Sequence, residues 1–93
     1  MATASARHIL VNSESECLEL KAKIDSKELT FEEVARDKSL CPSGVKGGDL
    51  GSFSEGQMVP EFDKVVFNDE VGVVHGPVQT QFGYHLLEVT QRD

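Results

Sequence analysis

Cysteine is scarce in this sequence, and long apolar runs are absent. The two cysteines, Cys17 and Cys41, are too few for the disulfide framework of a small secreted domain, so we expect both to be reduced thiols. No apolar run approaches the length that spans a bilayer, and Ile9-Leu10-Val11 is too short for the core of a signal peptide. These absences predict no membrane partner and make the cytoplasm the expected location.

Basic residues are also few. Nine Lys and Arg residues stand against sixteen Asp and Glu residues, and the formal net charge is −7. Because phosphate backbones are bound by clustered Lys and Arg, we expect no nucleic-acid partner. There is no internal repeat, low-complexity tract or linker, so 93 residues predict one domain over positions 1–93. Nothing in the sequence signals association, and a monomer is the default expectation.

The hydrophobic pattern predicts elements in the order β-α-α-β-α-β-β. Capping boxes at Ser13–Glu16 and Thr30–Glu33 each predict the start of a helix, and Pro60 suits the first position of a third. Strands at both ends with helices between them predict an α+β domain, with one small antiparallel sheet covered by helices. The predicted elements are a strand over 7–11, helices from 13 to about 26, from 30 and from 60, and a hairpin over 76–90.

Residues 38–56 differ in character, since they contain five glycines and one proline. This composition predicts a long irregular loop that contains or leads into a brief strand. Long loops in compact domains are usually functional or disordered, and the embedded Cys41, Leu50 and Phe53 favour function. Gly47 and Gly48 are expected to supply positive φ angles, not a phosphate loop, because no G-K-[S/T] follows them.

Four polar residues are candidates for chemistry. His8 lies in the first predicted strand, His85 near the start of the last, Cys41 at the start of the loop and Thr80 at the end of the third strand. Terminal strands often pair in such folds, so both imidazoles can meet on one side of the sheet. A cysteine–histidine nucleophile and a zinc site stay open as weak alternatives, because no C-x-x-C or H-x₃-H pair supports them.

Each candidate also has an ordinary structural explanation. A strand histidine can be a hydrogen-bonded core residue, and Cys17 suits a buried helix face. Met58 and Phe62, at i and i+4, suit helix packing as well as a binding pocket. Single residues therefore do not decide between a structural and a functional role.

The middle of the chain resembles the signature of the parvulin family of peptidyl-prolyl cis/trans isomerases. The matching residues are Gly47-Gly48-Asp49-Leu50-Gly51, Phe53, Gly56-Gln57-Met58-Val59-Pro60 and Phe62. Residues 7–11 are similar to that family's first strand and residues 76–85 to its last hairpin. The resemblance covers essentially the whole chain, and it is closest to the small single-domain bacterial parvulins.

This resemblance implies a four-stranded antiparallel sheet surrounded by helices, with a shallow site on the sheet and no metal or cofactor. It implies that His8 and His85 are hydrogen-bonded to each other or to Thr80, and that Cys41 faces the substrate amide. The residues implied to hold the proline ring are Leu50, Met58 and Phe62, with Phe82 closing one side.

The resemblance also implies the activity: non-covalent isomerisation of Xaa-Pro bonds in peptides and in unfolded or partly folded proteins, assisting folding. Phospho-specific relatives carry a basic loop after the first strand, whereas residues 12–16 are short and acidic here. We therefore expect no phosphate requirement. The alternatives are a proline-motif binding module or chaperone without turnover, and an adaptor domain with a vestigial site.

Overall fold

The structure is a computed structural model, and it describes residues 3–92. The predicted domain limits, 1 and 93, lie outside the described residues. Within them the elements follow the predicted order. They are β1 (Thr3–Val11), α1 (Glu14–Asp25), α2 (Phe31–Lys38), β2 (Asp49–Ser54), α3 (Pro60–Asn68), β3 (Val74–Thr80) and β4 (Gly83–Arg92). A short 3₁₀ helix, Pro42–Lys46, lies in the glycine-rich loop, where the sequence pattern did not indicate one.

The four strands form one antiparallel sheet in the order β2-β1-β4-β3, which confirms the predicted α+β class. The two terminal strands pair at its centre, as expected. β1 begins at Thr3 and not at the predicted Arg7, because Ala4 pairs with Phe53 on one side and Arg92 on the other. Small residues such as Ala4 and Ala6 give little hydrophobic signal, although both are buried.

Helices cover the sheet on both faces, and each face has its own apolar core. α1 and α2 pack on one face, where Ile9 and Val11 of β1 are buried. α3 packs on the other face through Phe62 and Val66, against the small residues Ala4 and Ala6. His8 and Leu10 continue the second face towards the end of β1, beyond the last alanine. The site therefore lies on the α3 side, where one helix leaves part of the sheet uncovered.

Side-chain caps fix the starts of the first two helices. Ser13 Oγ accepts a hydrogen bond from the Glu16 N–H at 3.2 Å. At α2 both halves of the predicted capping box form, between Thr30 and Glu33. Such caps each contribute about 1 kcal/mol. Cys17 is fully buried in α1, and burial, followed by Glu14 and Glu16, raises its pKa to about 11, so this thiol is an inert core residue. Across residues 3–92, none of the helices has the length and apolarity that crossing a membrane requires.

Candidate active site

An apolar groove opens on the α3 side of the sheet. Its volume is about 380 Å³, within the range of small-molecule and peptide sites. Among the described residues that line it, none is Lys, Arg, Asp or Glu. The lining residues are His8, Leu10, Leu40, Cys41, Pro42, Leu50, Met58, Val59, Phe62, Phe82 and His85. The groove therefore suits an uncharged, partly apolar ligand.

Seven of the eight site residues predicted from the sequence line this groove. Thr80 is the exception, because it lies behind His85, to which its hydroxyl is hydrogen-bonded at 2.7 Å. Phe82 stands at the rim with 60% of its surface exposed, whereas Phe62 is almost completely buried. The structure thus brings the eight residues together, and their individual roles stay predictions.

The two histidines form the polar centre of the groove. Their Nδ1 atoms are 3.1 Å apart, and their rings are nearly parallel, with an angle of 18° between the planes. Phe62 meets both rings edge-on, at centroid distances of 5.3 Å to His8 and 4.7 Å to His85. One aromatic side chain from α3 therefore packs against both imidazoles and keeps them from bulk water.

The sheet register and one glycine fix the position of His8. Leu10 pairs with His85 and His8 with Leu87, so the two histidines are diagonal neighbours on the same face of the sheet. The His8 N–H donates to the Gly48 carbonyl at 2.9 Å. A Cβ at Gly48 would overlap the His8 carbonyl oxygen, and its φ of 86° lies in the left-handed region. Gly48 is therefore required for this close approach, and it shows the positive φ that was predicted.

A chain of hydrogen bonds runs through the histidine pair. The Phe82 N–H donates to Thr80 Oγ1 at 3.1 Å, which leaves the Thr80 hydroxyl proton for His85 Nε2. His85 Nδ1–H then donates to His8 Nδ1. In the opposite direction His85 Nε2–H would donate to Thr80, whose own hydroxyl proton would have no acceptor among the described residues. The first direction therefore satisfies more of the buried groups.

On the other side of His8 the chain reaches the loop. His8 Nε2–H donates to Ser43 Oγ at 3.1 Å, and the Ser43 hydroxyl donates to Cys41 Sγ at 3.4 Å. Because the sulfur accepts in this arrangement, this chain of hydrogen bonds does not use the Cys41 S–H as a donor. The chain thus links the rim residue Phe82 to Cys41 through neutral groups.

Burial keeps both imidazoles neutral. It lowers the pKa of His85 to about 4. Burial, followed by repulsion from the charge that His85 carries when it is protonated, lowers the pKa of His8 to about 4. The Nδ1–Nδ1 contact needs one donor and one acceptor, so two charged rings do not fit it. At neutral pH the pair is a fixed hydrogen-bonding unit and not a source of positive charge.

Sequence reasoning missed several residues of this site. Ser43, which bridges His8 and Cys41, lies only two residues after Cys41, inside the unpredicted 3₁₀ helix. Leu10 follows His8 by two residues on the same strand face, and this period of two was a usable signal. Leu40 lies beside it, since the Leu40 N–H donates to the Leu10 carbonyl at 2.8 Å. The other missed lining residues are Pro42 and Val59.

The geometry does not support the zinc alternative. The Nδ1 atoms of His8 and His85 face each other in a hydrogen bond, and their Nε2 atoms contact Ser43 and Thr80. Nowhere in the part of the chain that the structure describes do three His, Cys, Asp or Glu side chains group as metal ligands would. All four ring nitrogens are instead used in hydrogen bonds, two between the rings and two to Ser43 and Thr80.

Comparison with known proteins identifies the family. The family model described as "Rotamase: PPIC-type PPIASE domain" matches residues 6–91. The chain belongs to this family. It is therefore a peptidyl-prolyl cis/trans isomerase domain of the parvulin type, as the resemblance implied.

Three relatives of this rotamase domain illustrate the range of the family. The foldase protein PrsA of Exiguobacterium sibiricum is 46% identical over 89 residues, which cover 94% of this chain and 29% of the relative. The crystal structure of the peptidylprolyl isomerase PrsA from Bacillus anthracis has a TM-score of 0.93 and 40% identity, covering 99% of this chain and 42% of the other. NmPin, the parvuline of Nitrosopumilus maritimus, has a TM-score of 0.85 and 34% identity, covering 98% of both chains. The chain thus spans about three tenths of the length of the foldases that it matches.

Proposed function

We propose that this domain isomerises unphosphorylated Xaa-Pro bonds in peptides and in unfolded or partly folded proteins, without forming a covalent bond. The observation that carries the proposal is an apolar groove that is built around a neutral histidine pair and has no charged side chain among the described residues of its lining. The foldase and isomerase names of its relatives agree with a role in protein folding.

The reaction needs a groove that favours a twisted amide. Rotation about a peptide bond faces a barrier of about 18–20 kcal/mol, because twisting destroys the resonance of the amide. An enzyme lowers this barrier by binding the twisted form better than either planar form. Met58 and Phe62 provide apolar surface for the proline ring, while the preceding carbonyl can swing. Exclusion of water further disfavours the charge-separated planar form relative to the less polar twisted form.

The polar groups then supply hydrogen bonds and not a nucleophile. No bond breaks in the reaction, so none of these residues has to attack the substrate. Cys41 lines the groove, and its S–H, which the hydrogen-bond chain does not use, interacts with the rotating carbonyl. His8 and His85 hold the geometry of the groove through their mutual hydrogen bond and their contacts with Phe62.

The charge distribution supports phosphate independence. A phosphate before the proline would need cationic partners, yet no Lys or Arg is found among the described residues of the groove lining. The segment after β1 carries Glu14 and Glu16 in the first turn of α1, and these carboxylates would repel a phosphate. The groove lining beside Cys41 offers the apolar surface of Leu10 and Leu40 instead of cationic side chains.

An NMR exchange assay tests the proposal. Catalytic amounts of the protein are added to Leu-Pro, Ala-Pro and phosphoserine-Pro peptides, and cis/trans exchange is followed at equilibrium. We expect acceleration for the first two peptides and less for the third. Met58→Ala should lower kcat/KM about tenfold, since a half-buried wall of the groove is lost. This variant is preferable to Phe62→Ala, because removal of the buried Phe62 ring costs about 3–5 kcal/mol and threatens folding.

The other outcomes separate the alternatives. Peptide binding without acceleration supports a binding module or chaperone, and the absence of both supports a vestigial site. A clear preference for the phosphorylated peptide contradicts phosphate independence. The cytoplasmic location, the monomeric state and the absence of a nucleic-acid partner stay predictions from the sequence.

A further inference from the structure

The turn between β2 and α3 carries one wall of the groove. Ser54 to Gln57 form a β-turn, closed by a hydrogen bond from the Gln57 N–H to the Ser54 carbonyl at 3.2 Å, and Met58 follows directly. Gly56 has a φ of 90°, and a Cβ built there has no atom within 4 Å. Residues 55–57 are exposed. Packing contributes little to holding this turn, so its position depends on hydrogen bonds.

The carboxylate of Asp63, on α3, forms a hydrogen bond to the backbone of this turn. Both carboxylate oxygens of Asp63 accept from the Gly56 N–H, at 3.1 and 3.0 Å. Within the turn itself, the Gln57 side chain accepts from the Ser54 N–H at 2.6 Å. Asp63 directly follows Phe62, which packs against the histidine pair. The start of α3 therefore contacts both the Ser54–Gln57 turn and the histidine pair.

We propose that Asp63 is a positioning residue for isomerisation, whose carboxylate holds the Ser54–Gln57 turn and thereby keeps Met58 in place as a wall of the groove. This inference rests on the proposed function, because it assigns Met58 to the binding of the proline ring. Asp63 itself is not among the residues that line the groove. It acts through the backbone of Gly56 and not through contact with the substrate.

The expected effect is on affinity. A hydrogen bond to a charged acceptor is strong enough to shift a local equilibrium by a factor of ten or more. Without it the turn is in place for a smaller fraction of the time, and apparent affinity falls in proportion to this competent fraction. Saturating peptide restores the competent turn, so the rate at saturation changes little.

The test compares steady-state kinetics and amide exchange in three variants. Asp63→Ala should raise KM by up to about fivefold with kcat unchanged, and Asp63→Asn, which keeps one oxygen acceptor, should raise KM by less. The matched control is Glu61→Ala, since Glu61 is another acidic residue in the first turn of α3 but makes no bond to Gly56. It should leave both constants unchanged. Hydrogen exchange of the Gly56 amide should accelerate about tenfold in Asp63→Ala, by less in Asp63→Asn, and not in Glu61→Ala.

Several results would overturn the inference. A fall in kcat at constant KM in Asp63→Ala would place its effect elsewhere, and an equal rise of KM in Glu61→Ala would assign the effect to the helix dipole. Rapid exchange of the Gly56 amide in the unaltered protein would also contradict it, and this measurement needs no variant. Slow exchange of the Gly56 amide in a protein without turnover would instead support the hydrogen bond from Gly56 to Asp63, which we call the clamp, and contradict the proposed function.

Discussion

Acid should destabilise this domain through its histidine pair. In the unfolded chain both residues take up protons near pH 6.5, whereas burial lowers the pKa of each to about 4 in the folded state. The unfolded state therefore binds more protons between pH 6.5 and 4, and the free energy of unfolding falls as the pH is lowered through this window. Above pH 6.5 the pair causes no such loss.

The size of the effect follows from the pKa values. A pKa lowered from 6.5 to about 4 corresponds to about 3 kcal/mol, and the pair together costs up to about 6 kcal/mol at pH 4. Both side chains are at most 5% exposed, so solvent screening removes little of this. A domain of this size is stable by about 5 kcal/mol, so the pair alone brings it close to its unfolding midpoint near pH 4.

The assay is urea unfolding, followed by circular dichroism at pH 7, 6, 5 and 4.5. Carboxylates also titrate in this range, so the decisive quantity is the difference between the protein and a variant that carries His8→Asn and His85→Asn. The unaltered protein should lose stability more steeply, by up to about 1.4 kcal/mol per pH unit for each histidine. His75→Gln, which alters the histidine outside the pair, should keep the steep slope.

Two results would refute the reasoning. The slopes of the protein and the double variant would coincide if the pair did not carry the proton uptake. Ring resonances of His8 and His85 that titrate near pH 6.5 in the folded protein would show that the groove does not exclude protons. The second measurement needs no variant, and it decides the question even where the double variant is poorly folded.

Two further predictions concern the groove. Leu40→Lys places a cation beside Cys41, and because Leu40 is 56% exposed we expect little loss of stability. The ratio of kcat/KM for Glu-Pro peptides to that for Leu-Pro peptides should rise about fivefold. An unchanged ratio would show that Leu40 does not contact the residue before proline. Cys41→Ala should lower kcat/KM in the NMR exchange assay by no more than about tenfold, because only a hydrogen bond is lost, whereas a loss of several orders of magnitude would indicate a covalent nucleophile.

The sequence was sufficient to predict the element order and the pairing of the first and last strands of the chain. The capping residues Ser13 and Thr30 gave the starts of two helices, because a side-chain acceptor next to an apolar periodic segment is a local signal. The positions of His8, Cys41, Thr80 and His85 made these four residues candidates, and the resemblance to parvulins supplied their roles and the four apolar residues of the pocket. The pairing of His8 with His85, across 77 positions, followed only once the terminal strands were assumed to be neighbours.

The missed features depend on contacts that are distant in sequence. Ser43 is part of the site because the 3₁₀ helix turns its hydroxyl towards His8. Five residues that include a proline and a glycine give no helix period to detect. The clamp between Asp63 and Gly56 likewise depends on how a loop folds back onto a helix. Acidic residues are common in the first turn of a helix because they interact favourably with the helix dipole. The sequence therefore does not indicate that Asp63 also accepts a hydrogen bond from Gly56.

The acid sensitivity and the proposed catalysis have one physical cause. Phe62 covers the two imidazoles, and this lowers their pKa values and keeps water away from the place where the amide would twist. A wetter groove would make the histidines easier to protonate and would also stabilise the planar, charge-separated amide, so it would be less suited to rotation. The loss of stability at low pH is therefore a direct consequence of excluding water from the groove. The hydrogen-bonded chain from Thr80 to Cys41 pairs the polar groups with one another, so they remain buried there without charge.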